Sequence, residues 1–413
     1  MILALKVGSI VVALIILLRL KLNLALTIFL LSVYTVAIFQ VNVVTALKAA
    51  GLAMIENKTL ELYVIITMVL YIAEIQKAKK MFDQLISSLN SMIRDSRLVA
   101  MVAPAIVGLL PMLGGALMSA PLVDVSTKKM NMTAEFKTFM NYWFRHIWEF
   151  VWPIYAAIPI FSTLSGIPVK TIILYQSPFT VLNIITGLAF SFWYFKKHNI
   201  QREKPGKITS FTRTIKDLFE GVWPVLMVIL LFFVAGVPLY ISLTLAAVLL
   251  TIVKRLTPKE ISGTFLTKDM GKIVLLIASV MVFKRIIEVS NAFASLETMG
   301  ISLVMLVLLS LLVSFTMGFL TGVNNAFIVI AYPILLPLIQ KLTAGNAEHF
   351  ILLSVYVYII GFAGILLSPL HLCLVLTNEY FKSSLYKVYR YLAPAGILLA
   401  LVSTALVLLL GKG

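Results

Sequence analysis

The sequence has little of what a soluble enzyme needs. It holds one cysteine, Cys373, and only four histidines in 413 residues. A single cysteine excludes a disulfide within the chain and leaves the redox compartment undetermined. Histidines and cysteine are widely spread along the chain, so no metal-site spacing appears. Charged residues make up 12% of the chain, about half the share of a soluble domain. There is no Gly-x-x-x-x-Gly-Lys-Ser/Thr loop, which excludes a P-loop ATP-driven pump. His-Glu-x-x-His and Gly-x-Ser-x-Gly are also missing. No catalytic reading survives, and the expectation is a protein that is not an enzyme and carries no cofactor beyond a possible Na⁺ ion.

What is present is hydrophobic. Such residues make up 61% of the chain, and mean hydropathy is +1.03. A span needs roughly 20 apolar residues to cross a bilayer. Hydrophobic runs fall at 2–18, 22–40, 61–76, 98–123, 138–165, 168–195, 219–235, 238–253, 272–290, 300–340, 350–377 and 391–410. The expected class is an all-α polytopic membrane protein. Ile2–Leu18 lacks a preceding basic region and a clear cleavage site, so it reads as a retained helix. The stretch 41–60 reads as an amphipathic surface helix. The net charge of +17 comes from short loops, as expected of cytoplasmic loops and not of a nucleic-acid partner.

The two halves look alike. Gly108-Leu-Leu-Pro-Met-Leu-Gly-Gly-Ala116 aligns with Gly318-Phe-Leu-Thr-Gly-Val-Asn-Asn-Ala326, 210 residues on. Trp152-Pro153 corresponds to Ser368-Pro369, and Pro178 and Pro394 are expected to open the last helix of each half. This predicts a first repeat over 1–195, a basic linker over 196–217 and a second repeat over 218–413. Each repeat has about five crossings, one re-entrant hairpin (about 98–128 and about 300–340) and one broken helix (about 138–165 and about 350–377). With both hairpins re-entrant, Lys and Arg divide 25 to 6 between the two sides; with every run crossing they divide 20 to 11. The first division obeys the positive-inside rule better. It inverts the second repeat relative to the first and places both termini outside the cell membrane. Inverted repeats with discontinuous helices are the build of secondary transporters.

An unwound backbone in a protein-lined cavity can supply oxygens to an ion, and Gly and Pro unwind helices. Candidate substrate or ion ligands are therefore Pro111, Gly114, Gly115 and Ser119 in the first half, with Pro153 at its break. In the second half they are Thr321, Gly322, Asn324 and Asn325, with Ser368 and Pro369 at the break. Glu149 lies one helical turn before Pro153, and Arg145 a turn before that, so the two can pair at i, i+4. Alternatively Arg145 meets an anion, or Glu149 carries a proton. His371 reads as a hydrogen-bonded packing residue, a proton carrier or a ligand.

The runs GLLPMLGGALMSAPLVD (108–124), NYWFRHIWEFVWPIY (141–155) and LLSPLHLCLVLTNEYF (366–381) resemble a family of archaeal and bacterial membrane proteins, domain of unknown function family 401. It is grouped with the ion transporter superfamily, which includes sodium–dicarboxylate symporters, citrate and gluconate permeases and the large subunit of tripartite periplasmic transporters. The resemblance implies a homodimer with a scaffold and an elevator-like transport domain. Hairpin tips in that superfamily carry Ser/Asn/Thr-rich motifs. Carried over, they imply Na⁺ at Thr321, Asn324, Asn325 and Ser368, whereas tip one offers Gly114 and Gly115. The implied function is cation-coupled symport of a small organic anion, Na⁺ ahead of H⁺. The competing class is a channel or a lipid-translocating protein using the same cavity.

Overall fold

A computed structural model describes residues 6, 9, 10, 12–14, 16, 17, 20, 22–81, 95–109, 115–201, 211–265, 267–290 and 302–411. Among these residues the regular structure is all helical. The first half holds α1 (Leu24–Ile38), α2 (Val43–Ile55), α3 (Asn57–Ala78), α4 (Ser96–Gly108), α5 (Gly115–Ser126), α6 (Ala134–Arg145), α7 (Ala157–Ser165) and α8 (Val169–Lys197). The second holds α9 (Phe211–Ile229), α10 (Leu239–Val253), α11 (Pro258–Phe265), α12 (Lys268–Val289), α13 (Leu303–Thr321), α14 (Asn324–Thr343), α15 (Ala347–Leu366), α16 (Leu372–Phe381) and α17 (Leu385–Leu410). Six of these, α3, α8, α13, α14, α15 and α17, are long and apolar enough to cross a membrane.

The expected helix at 41–60 is α2, and its two faces are the reverse of a soluble one. Ala46, Ala49 and Ala53 are buried, while Val43, Val44, Leu47, Leu52 and Ile55 are exposed. The alanines face inward at helical spacing, and small residues let helices approach closely. Here α2 packs on α12. The large apolar side chains point outward, which suits a hydrocarbon solvent and not water.

Four elements frame the interior. Helices α4 and α5 pack against each other, as do α13 and α14. Helix α6 packs on α4, and α15 packs on α13. The run 138–165 is broken, as its proline predicts, but over a longer stretch: α6 ends at Arg145 and α7 begins at Ala157. The run 350–377 breaks more tightly, between Leu366 and Leu372, around Pro369. Proline removes a backbone donor and clashes with the preceding turn. Helix α13 also passes through a π-helical turn at Leu311–Phe315, just before its end at Gly322.

One expectation is corrected. Pro178 and Pro394 do not open helices. They lie inside α8 and α17, each nine residues beyond the first helical residue. Prolines inside long membrane helices are tolerated where neighbours satisfy the freed carbonyls. Helices α13 and α14 are each long enough to span, so their lengths by themselves do not make that pair re-entrant.

Candidate functional site

The two breaks pack against the C-terminal ends of α4 and α13. The last four carbonyls of a helix have no partner within it. Around the C-terminus of α4, break one supplies donors: Trp148 Nε1 bonds Ala105 O at 2.7 Å and Trp152 Nε1 bonds Leu109 O at 2.8 Å. The Tyr155 hydroxyl donates to Gly108 O. Break two does the same for α13. Ser368 Oγ donates to Phe319 O at 2.6 Å, and His371 Nδ1 donates to Gly322 O at 2.6 Å.

These contacts repeat between the halves in register. Trp152 and Ser368 are 216 residues apart, and their acceptors Leu109 and Phe319 are 210 apart. Gly108 lies against the Arg145 carbonyl and Gly318 against the Gly361 carbonyl, again at separations of 210 and 216. A Cβ on Gly108 would stand 2.3 Å from Arg145 O, and one on Gly318 would stand 2.0 Å from Gly361 O. At both crossings only glycine fits.

The breaks also meet each other. Tyr142, on α6, donates its hydroxyl to Ile365 O and Leu366 O at the end of α15. Arg145 Nη1 donates to Cys373 Sγ at 3.2 Å. His146 and His371 face each other with their Nε2 atoms 3.0 Å apart. Asn324 Nδ2 donates to Glu149 Oε2 at 2.7 Å, and the Tyr358 hydroxyl donates to Glu149 O. Tyr142, Arg145, His146, Tyr358 and Cys373 are buried, and Glu149, Asn324 and His371 half-buried. A polar cluster has thus formed where five segments from both halves converge: the ends of α6 and α15 and the starts of α14, α16 and break one. Buried polar groups of this kind cost free energy unless partnered, and these are bonded to one another.

The sequence-derived candidates fall into three groups. Asn324, Glu149, Arg145, Gly322, Ser368 and His371 come together here. Gly322 takes φ +61° and its α-carbon approaches His371 so closely that a Cβ would stand 2.7 Å from His371 N. Pro153 and Pro369 sit within the two breaks. Thr321 Oγ1 is turned back onto Met317 O, Asn325 is half-buried, and Ser119 Oγ bonds its own helix at Ala116 O. Gly115 is the buried first residue of α5, while Pro111 and Gly114 lie outside the described residues.

Arg145 and Glu149 are not joined by one helical face, because α6 stops at Arg145 and the three residues between them follow a turn. His146, Cys373, Tyr142 and Tyr358 were not among the candidates. The absence of metal-site spacing is likewise a statement about sequence distance. His146, His371 and Cys373 come together although the histidines are 225 residues apart.

Fold and site define a protein that is all helical among the described residues, with six helices able to cross a membrane and two interrupted helices that meet in its interior. The family model described as protein of unknown function (DUF401) matches residues 2–409, and the chain belongs to that family. A search of curated proteins finds no match.

Proposed function

We propose that the chain is a secondary active transporter. In this reading a cation, Na⁺ ahead of H⁺, drives symport of a small organic anion by an elevator-like motion in a homodimer. The observation that carries it is the meeting of two helix breaks from opposite halves around a polar cluster. Discontinuous helices at an internal repeat interface are how transporters bind ions within a bilayer. The recurring contacts at separations of 210 and 216 support two repeats related by inversion, with hairpins over the α4–α5 and α13–α14 pairs.

Cation chemistry centres on Asn324. Its Nδ2 is held by Glu149, so its Oδ1 points away, and that oxygen is buried without a hydrogen-bond partner among the described residues. A buried amide oxygen of this kind suits a hard cation such as Na⁺. Thr321 ends α13 three residues before Asn324, and Ser368 lies in break two, bonded to Phe319 O of the same helix. Helices α7, α14 and α16 begin at or beside the breaks without a side-chain cap. Their first N–H groups, with Arg145, would receive the anion.

The test is flux in proteoliposomes across a panel of carboxylates, sugar acids and amino acids, with and without a Na⁺ gradient. Saturable uptake that follows the Na⁺ gradient is expected. Conduction that neither saturates nor couples to Na⁺ or H⁺ would favour the channel reading and remove the symporter.

The charge division gives a topology test in the cell membrane. Cysteines placed at Lys128 and Lys204 are expected to be protected from an impermeant thiol reagent added outside, and one at Lys341 to be labelled. Labelling at 128 would remove the cytoplasmic first hairpin.

A further inference from the structure

We propose that His146, His371 and Cys373 form a binding site for a d¹⁰ transition-metal cation, with Zn²⁺ as its ligand of reference. The inference concerns what this cluster binds and holds whether or not the chain transports an anion.

The argument begins with hydrogen-bond roles. His146 Nδ1 lies 2.6 Å from the Tyr142 carbonyl oxygen, and His371 Nδ1 lies 2.6 Å from the Gly322 carbonyl oxygen. A carbonyl oxygen only accepts, so each Nδ1 carries the proton. In the neutral rings each Nε2 then presents a lone pair. The two Nε2 atoms face each other at 3.0 Å. Two lone pairs at that distance repel unless a positive centre lies between or beside them. That centre is either a proton or a metal ion.

The third member favours the metal. Cys373 Sγ and the two Nε2 atoms all lie within 4.8 Å of one another, so three ligand atoms converge and not two. Zn–N bonds of about 2.0–2.1 Å in a tetrahedral arrangement put two nitrogens about 3.3 Å apart. The pair therefore opens by only a few tenths of an ångström to admit the ion. Nitrogen and sulfur together suit borderline-soft ions and not Na⁺, Mg²⁺ or Ca²⁺.

The outer contacts fit as well. Metal-bound histidines usually donate their second ring N–H to a carbonyl or carboxylate, which fixes ring and tautomer. Both histidines here do so. Arg145 donates to Cys373 Sγ and orients it. The Cys373 sulfur, as thiolate, and the Glu149 carboxylate offset much of the charge of the ion and of Arg145. As the sulfur–metal bond forms, the thiol proton leaves to buffer. Three protein ligands leave a fourth position open for water or a carboxylate, as in zinc sites that bind small molecules. Zinc sites with fewer than four protein ligands need this exchangeable position.

The experiment uses the full-length protein in detergent, reduced and freed of metal with a chelator. Zn²⁺ is titrated calorimetrically, and Co²⁺ is added as a visible probe of coordination. One Zn²⁺ per chain, release of a proton, and a tetrahedral Co²⁺ spectrum with a sulfur-to-cobalt charge-transfer band are expected. Cys373→Ser should abolish that band. His146→Gln and His371→Gln should each weaken Zn²⁺ binding by more than the roughly 10–100-fold that losing an outer-shell partner costs. The other two histidines serve as a control: the double variant His198→Gln, His349→Gln should bind as before. The cobalt band is read on the unmutated protein, so it does not depend on a variant folding. Absence of Zn²⁺ binding, which would leave a proton shared between the histidines, overturns the proposal. So does binding that is unchanged in His146→Gln and His371→Gln, or that is lost in the His198/His349 variant. Neither result bears on the flux assay, which tests transport separately.

Discussion

Replacing Asn324 with alanine is expected to weaken Na⁺ or substrate binding roughly tenfold to a hundredfold while the chain still folds. The side chain does two things at once. Its amide nitrogen holds the Glu149 carboxylate at 2.7 Å, and its amide oxygen is buried and faces away from that bond. Losing a hydrogen bond to a charged group in a site with little water costs on the order of 1–3 kcal/mol. At about 1.4 kcal/mol per decade this is the stated loss of affinity. Asn325 has no such bond to Glu149, so Asn325→Ala should change binding less. Isothermal titration or ligand-induced thermal stabilisation would measure both. Unchanged binding in Asn324→Ala and in the double variant would remove the cation site from this tip.

The second large effect is on stability. Gly318→Ala is expected to lower the thermal unfolding midpoint sharply, and Gly108→Ala to do likewise. The added Cβ at 318 would stand 2.0 Å from Gly361 O and 3.1 Å from Ile365 N. At 108 it would stand 2.3 Å from Arg145 O. Overpacking typically costs about 1–3 kcal/mol, and occasionally more. Here the obstructing atoms are backbone, which cannot rotate away as a side chain can, so the upper end applies. Gly51, in α2, and Gly271, in α12, have nothing within 4 Å of an added Cβ. Alanine there should be neutral or slightly stabilising, because glycine disfavours helix by up to about 1 kcal/mol. Equal midpoints for Gly318→Ala and Gly271→Ala would contradict the close crossing of α13 and α15.

Gly318 and Gly108 also illustrate what local sequence can carry. Their alignment at 210 residues was visible as letters, and the structure supplies the reason for both: a helix crossing that admits no side chain. The breaks at Trp152-Pro153 and Ser368-Pro369 were legible because a proline ring acts on its own backbone and needs no distant partner. The extent of break one was not legible. No breaker stands between Arg145 and Trp152, and the chain leaves the helix there while Trp148, Trp152 and Tyr155 turn to the open carbonyls of α4. The same missed turn undid the i, i+4 argument for Arg145 and Glu149, which assumed a helix through both. Pro178 and Pro394 were misplaced for the opposite reason. A proline signals a helix start in water, whereas inside a membrane helix neighbouring groups can absorb its missing bond.

By itself the sequence determined the all-helical, membrane-suited class of this protein and its two interruptions. These follow from hydropathy and from Gly and Pro, whose effects act within a turn or two of chain. The tertiary structure alone decided which side chains share the interior. His146 and His371, 225 residues apart, meet because break one and break two are packed together, and the Tyr142 and Gly322 carbonyls then set their tautomers. No periodicity records such a meeting, because it is made by the docking of separate helices and not by the spacing of residues along one.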